Sequence, residues 1–187
     1  QPVIWRGPML HRAVQQFLSD VFWGDLDVLL LDLPPGTGDV TISVAQLLPN
    51  AEILVVTTPQ TAAAEVAERT GLIATQTNQK VVGVIENMSY MPQADGSRLE
   101  IFGSGGGRTV SDSLTRTLGY EVPLLAQLPL DIRLREGSDV GAPATVAQDG
   151  EPAADAPAAA ELVDVARRLV HRSRGLAGRR LSLNVAN

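Results

Sequence analysis

The chain has 187 residues, of which 44% are apolar, so it is long enough to bury one core and we expect a single domain. Its formal net charge of −6 argues against a nucleic-acid-binding surface, which is usually basic. The sequence holds no cysteine, which excludes disulfides and cysteine-held clusters within these residues, and no apolar run is long enough to cross a bilayer. We therefore expect a cytoplasmic protein.

Helical and strand patterns alternate along the chain. Helices are predicted at residues 8–21, 41–48, 62–76, 108–118 and 157–174. Strands are predicted at residues 27–33, 52–57, 80–86 and 123–128. These strands are rich in Val, Ile and Leu without clean alternation, which is typical of a parallel sheet covered on both faces. The sequence therefore predicts an α/β fold in which helices flank an open parallel sheet.

The stretch Asp32-Leu33-Pro34-Pro35-Gly36-Thr37-Gly38-Asp39 directly follows an apolar run at residues 26–31. Mg²⁺ that arrives with nucleotide phosphates needs one or two rigidly held carboxylates, and Asp32 is the candidate. The two glycines leave the backbone room to approach a γ-phosphate, and the two prolines restrict the start of the turn. The pattern predicts a turn that binds nucleotide and Mg²⁺. The alternative is an ordinary strand-to-helix loop with a helix-capping Asp.

Other polar turns follow the predicted strands at residues 57–61, 86–89 and 128–131. Ligands of parallel sheets bind at the carboxyl ends of the strands, where these turns meet. Asn87 offers both a donor and an acceptor to a base edge, and residues 129–131 can form a wall on the other side of that base. Taken singly, each segment can also be an ordinary turn.

A phosphate-binding loop of the G-x-x-x-x-G-K-[ST] kind needs a lysine, and the single lysine, Lys80, has no glycine loop before it. The glycine run at residues 103–107 follows a polar loop rather than a strand, and we interpret it as the flexible start of a helix. The chain opens at Gln1 rather than Met. We therefore expect the phosphate loop to lie in a preceding segment, and we expect this chain by itself to be unable to hydrolyse ATP.

Several motifs together resemble one known family. They lie at residues 5–9, 23–27, 32–39, 86–90, 101–107, 129–131 and 135–139. In these motifs the chain is similar to the Mrp/ApbC family, P-loop ATPases that are related to MinD and the nitrogenase iron protein and are regarded as iron–sulfur cluster carriers. The likeness covers roughly residues 5–142, and the family's lysine-bearing phosphate loop precedes that region.

The resemblance implies a P-loop NTPase fold whose N-terminal part is absent here. It also implies catalytic roles for Asp32, which would hold Mg²⁺ through a water, and for Gly36, which would approach the γ-phosphate. The implied nucleotide-binding residues are Pro35, Gly36, Thr37, Asn87, Pro129, Leu130 and Asp131. The implied cofactors are ATP and Mg²⁺, and the implied partners are a second copy in a homodimer and iron–sulfur assembly proteins or apo-protein clients.

The chain departs from the family pattern in one interval. Typical members carry a C-x-x-C pair between the N-M-S and F-G-x-G-G-G motifs, and two such pairs in a dimer can hold a bridging cluster. Here residues 91–100 contain neither cysteine nor histidine, and Asp95-Gly96 predicts a tight turn in a hairpin-like flap. The usual cluster ligands are therefore missing, although the expected ATPase activity does not depend on them.

We therefore expect an ATPase of iron–sulfur cluster assembly or transfer, with residues 1–175 as part of one P-loop domain and 176–187 as a flexible tail. One alternative is a MinD-like positioning ATPase that docks on a membrane or partner, and another is a non-catalytic dimerisation fragment. The last predicted helix bears on the first alternative, because its apolar face is flanked by arginines. That face holds Leu162, Val165, Ala166, Leu169 and Val170. Packing of this face on the protein's own sheet is the favoured interpretation.

Overall fold

The computed structural model describes residues 7–34, 38–60, 63–146 and 156–171. The helices of this part are α1 (Gly7–Asp20), α2 (Asp39–Leu47), α3 (Ala63–Thr77), α4 (Gly106–Leu118), α5 (Ile132–Asp139) and α6 (Pro157–His171). The strands are β1 (Glu52–Thr57), β2 (Lys80–Glu86), β3 (Met91–Pro92), β4 (Arg98–Leu99) and β5 (Leu124–Gln127). None of the described helices is both long and apolar enough to cross a membrane.

The main sheet is parallel and has the strand order β1-β2-β5. The central strand is β2, in which Val81 and Val84 are fully buried. Its last residue, Glu86, lies opposite Thr57 of β1 and Gln127 of β5, so the three strands end level with one another. The register confirms the predicted parallel α/β sheet and brings the loops after the three strands to one edge.

Helices cover both faces of this sheet. Neighbouring residues of a strand point to opposite sides, so the apolar strands present side chains to both faces. On one face Val84 packs with residues of α3 and α4, and on the other Ile85 packs with residues of β5 and α6. The buried residues of the first cluster are Val55, Ala63, Ala67, Ala74, Val81, Val84, Val110, Leu114 and Val122. Those of the second are Ile85, Ala126, Leu128 and Val165. Each face thus has its own apolar core.

The strand predicted at residues 27–33 is not formed, and that prediction is wrong. The backbone is irregular there and its side chains are largely exposed, with Leu30 82% accessible. A strand needs a neighbour to pair its N–H and C=O groups, and no strand of the described part of the chain pairs with this segment. The apolar run gives these residues a tendency to be buried, but burial also requires another surface to pack against.

The remaining differences are small or lie at the edge of the described residues. Helix α5 was not predicted, whereas the expected flap is confirmed as an antiparallel pair in which Met91 lies opposite Leu99. The last helix was predicted to reach residue 174 and is described to His171. Residues 172–187 lie outside the described part, so the domain boundary at 175 and the flexible tail remain predictions.

The last two glycines of the run at residues 103–107 start α4 and lie in close contact with the sheet edge, so the run has a packing role that its interpretation as a flexible helix start did not include. A Cβ on Gly106 would overlap the Thr58 carbonyl oxygen and would lie 2.7 Å from the Pro59 carbonyl carbon. A Cβ on Gly107 would lie 2.7 Å from the Glu86 Cβ. Only glycine at both positions lets the first turn of α4 approach the sheet edge so closely.

A substitution tests this close approach. Gly106→Ser should lower the free energy of unfolding by about 1–3 kcal/mol, because the added side chain must displace backbone. Gly38→Ser is the matched control, since a Cβ there meets nothing within 4 Å and the φ of −68° is ordinary. Urea denaturation of both variants of the full natural chain measures the difference. Equal stability of the two variants would contradict the packing described here.

Candidate functional site

The loops after β2 and β5 run side by side at the carboxyl edge of the sheet. The Leu128 N–H donates to the Glu86 carbonyl (2.7 Å), and the Ser89 N–H donates to the Leu128 carbonyl (2.8 Å). The Leu130 N–H then donates to the Tyr90 carbonyl (2.7 Å). Strand-like pairing therefore continues past the ends of β2 and β5. The structure thereby brings two of the predicted site segments together, the turn after β2 and residues 129–131.

Asn87 lies at the corner of the turn after β2. Its N–H donates to the Thr57 carbonyl (2.8 Å), which ties the turn to β1, and its Oδ1 accepts from the Met88 N–H (2.9 Å). Met88 takes a positive φ of 56°, an uncommon conformation for a residue with a side chain. Asn87 is half-buried, and among the described residues no group accepts from its amide nitrogen. That nitrogen is therefore free to donate to a ligand.

The segment 129–131 joins the edge to two helices. Pro129 is fully buried and Leu130 is half-buried. The Asp131 carboxylate accepts from the Arg133 N–H (3.0 Å) in the first turn of α5 and from the Ala158 N–H (3.3 Å) in the first turn of α6. Ala156, just before α6, has no polar side chain, so Asp131 supplies the missing cap. Asp131 thus anchors both helices to the end of β5.

The predicted magnesium turn is described only in part. Asp32 and Pro34 are exposed, whereas Pro35, Gly36 and Thr37 lie outside the described residues. After that gap, α2 starts from Gly38, whose backbone is extended. Asp32 is therefore open to solvent rather than buried in the apolar interior.

Sequence reasoning missed the most connected side chain of this edge, Glu86. It is 1% exposed, and its Oε1 accepts from the Ser89 hydroxyl (2.8 Å) and from the Gln127 amide nitrogen (2.8 Å). Its Oε2 accepts from the Gly107 N–H in the first turn of α4. The sequence did contain a signal for this role. Glu86 is a carboxylate at the end of a largely apolar strand, and a carboxylate buried there needs several hydrogen-bond donors.

The flap formed by β3, β4 and their turn projects from the same edge, and all of residues 91–101 are exposed. The Arg98 guanidinium stacks on the Tyr90 ring at 4.2 Å from its centroid, a cation–π contact at the base of the flap. At its tip, the Ser97 hydroxyl and then the Ser97 N–H lower the pKa of Asp95 below its ordinary value. In the described part of the chain, no three His, Cys, Asp or Glu residues are grouped to hold a metal.

Comparison with known proteins gives consistent results. A family model described as ParA, NUBPL iron-transfer P-loop NTPase, matches residues 1–169. The iron-sulfur cluster carrier protein of Mycobacterium leprae is 62% identical over 183 residues, which cover 98% of this chain and 46% of the relative. The protein of the same name from Methanocaldococcus jannaschii is 38% identical over 176 residues, which cover 93% of this chain and 56% of the relative.

A solved structure is also similar. It is a nucleotide-binding protein from Archaeoglobus fulgidus in complex with ADP and with cobalt, and it superposes with a TM-score of 0.60 at 36% identity. The match covers 72% of this chain and 53% of that one. The chain spans about half the length of the curated relatives it matches.

The double cap by Asp131 can be tested by substitution. Asp131→Ala should lower the free energy of unfolding by about 1–2 kcal/mol, because the first turns of two helices lose an acceptor. Asp131→Asn keeps one side-chain oxygen and should cost less. Asp112→Ala, at an exposed position of α4, is the control for loss of a carboxylate. If denaturant unfolding gave the same midpoint for Asp131→Ala and Asp112→Ala, the capping role would be wrong.

Proposed function

Because this chain belongs to the ParA family of NUBPL-like iron-transfer P-loop NTPases, we propose that the intact protein binds and hydrolyses ATP in iron–sulfur cluster assembly or transfer. The chain has the P-loop NTPase fold that the sequence motifs implied. The observation that carries the proposal is the 62% identity, over nearly all of this chain, to a protein named iron-sulfur cluster carrier. The clients of that activity are iron–sulfur assembly proteins or apo-proteins.

The base of the nucleotide would bind where the two loops meet. Asn87 offers a free amide donor at the corner of its turn, and the adjacent segment of Pro129, Leu130 and Asp131 is held against that turn by the Leu130 N–H. An amide donor beside an apolar wall is the combination that recognises a purine edge and face. Pro129 is fully buried and the Asp131 carboxylate caps two helices, so both would contribute to the base site by placing this segment, and half-buried Leu130 would form the apolar wall.

The phosphate end of the nucleotide would lie at the turn that follows Asp32. An exposed carboxylate fits Mg²⁺, which prefers oxygen ligands and keeps several of its waters, so Asp32 would hold the ion through a water. Bound Mg²⁺ neutralises charge on the phosphates. Pro35, Gly36 and Thr37 would provide the backbone beside the γ-phosphate. The phosphate-loop lysine would come from another segment of the intact protein, and residues 1–187 alone would then be inactive.

Cluster handling without the usual cysteines is the second part of the proposal. Residues 91–100 have no thiolate or imidazole, and the flap they form is fully exposed. The protein would therefore assist by contacting a carrier or an apo-protein rather than by holding a cluster on this flap. We propose that the protein acts in the cytoplasm and as a homodimer.

The packing of α6 does not support the alternative function of a positioning ATPase that docks on a membrane. Val165 is buried, and Leu162 and Leu169 pack with it against β5, while Ala166 and Val170 stay exposed. Most of the apolar stripe is therefore used within the fold, as the favoured interpretation of this helix expected. A helix packed in this way cannot also insert the same face into a bilayer.

Substitution of the proposed magnesium ligand tests the ATPase. In the full natural chain, Asp32→Asn should lower kcat for ATP hydrolysis by at least about 100-fold, because the metal loses its carboxylate. Binding of ADP measured without Mg²⁺ should stay within about twofold of wild type. Asp25→Asn, an exposed neighbour with no assigned role, is the control and should hydrolyse ATP normally. Full turnover by Asp32→Asn would rule out this role.

Iron counting tests the second part of the proposal. After anaerobic reconstitution with iron and sulfide, the full natural chain should retain no cluster on the flap. Deletion of residues 93–97 should then leave the iron content unchanged while it weakens transfer from a loaded carrier to an apo-protein. A cluster that is bound by the wild type and lost on this deletion would show that the flap holds it directly.

A further inference from the structure

We propose that Glu86 is a positioning residue for nucleotide-base recognition, because its buried carboxylate holds the turn that presents Asn87. This inference rests on the proposed function and deepens it. It assigns the base-binding geometry to a side chain that itself lies too deep to touch the nucleotide, at 1% exposure.

The first step is the conformation of the turn. The single proton of the Ser89 hydroxyl is shared between the Glu86 carbonyl oxygen (2.9 Å) and the Glu86 Oε1 (2.8 Å), which closes residues 86–89 into a loop. Asn87 and Met88 form its corner, and Met88 is held at a φ of 56°. A positive φ at a residue with a side chain is strained and persists only where its surroundings impose it. Glu86 and Ser89 provide that constraint.

The second step is the choice of a carboxylate. A carboxylate accepts at both oxygens, and Glu86 faces donors from three parts of the chain: Ser89 in the turn, Gln127 in β5 and Gly107 in α4. Glutamine has the same size, but its amide nitrogen is a donor: it would face the Gly107 N–H or, in the opposite orientation, would require Ser89 and Gln127 to turn so that they accept instead of donate. Glu86→Gln therefore disturbs the contacts that hold the turn without leaving a cavity.

The third step concerns the cost of burying a negative charge. The carboxylate lies at the N-terminal end of α4, where free N–H groups and the helix dipole favour an anion. The N-cap residue, Gly105, has no side chain to fill this role. Glu86 therefore caps α4 and fixes the Asn87 turn with the same group, so a purely structural role and a positioning role have to be separated by experiment.

Binding measurements with two ligands distinguish the structural role from the positioning role. We would measure dissociation constants for ADP and for pyrophosphate, which lacks the base, together with the melting temperature of the full natural chain. Glu86→Gln should weaken ADP binding about tenfold, as Asn87→Ala should, and change pyrophosphate binding by less than about twofold. The double variant should lose little more than either single variant, because both act on one contact. Glu121→Gln, at an exposed loop position, is the control.

The outcomes are distinct. Unchanged ADP binding in Glu86→Gln, or equal losses for ADP and pyrophosphate, would leave Glu86 as a helix cap only and overturn the inference. If Glu86→Gln does not fold, Ser89→Ala removes one of the three donors and should weaken ADP binding alone; an unchanged ADP constant in that variant also overturns it. A wild-type chain that binds neither ligand would overturn the proposed function itself.

Discussion

The contact on which this sheet edge depends is the one between the Glu86 carboxylate and the first turn of α4. It requires Gly106 and Gly107, because a side chain at either position would collide with the loop after β1 or with Glu86 itself. It also requires the three parallel strands to end at the same level, so that Ser89 and Gln127 reach the same carboxylate. The contact between the acidic end of β2 and the first turn of α4 therefore depends on the glycine run.

Two helices at this sheet edge are capped in the same way, by a carboxylate from another part of the chain. Both α4 and α6 start after residues without a polar side chain, Gly105 and Ala156, and each receives a carboxylate from a residue at or shortly after the end of a strand. Glu86 serves the first helix and Asp131 serves the second. Because these carboxylates flank Asn87 and Pro129, the helices and the proposed base site are held by the same groups. A change at either carboxylate should therefore affect a helix and the proposed base site together.

Local pattern predicted most of this architecture, and its failures have physical reasons. The dense Val, Ile and Leu of β1 and β2 indicated buried parallel strands, and the Asp95-Gly96 turn indicated the flap. Residues 27–33 carry an equally strong strand pattern but have no pairing partner among the described residues, and pairing cannot be read from one segment alone. Helix α5 was missed because its residues bury almost nothing. Glu86 was missed because its value lies in contacts with residues distant in sequence.

The exposed apolar stretch before α2 has a consequence for handling the protein. Phe22 is 95% accessible and Leu30 is 82% accessible, and Leu26, Val28 and Leu29 lie open between them. Apolar side chains exposed on irregular, unpaired backbone associate with like segments of other molecules, and this association leads to oligomers and precipitates. Residues 1–187 on their own should therefore aggregate more readily as protein concentration and ionic strength rise, unless another surface shields this stretch from water.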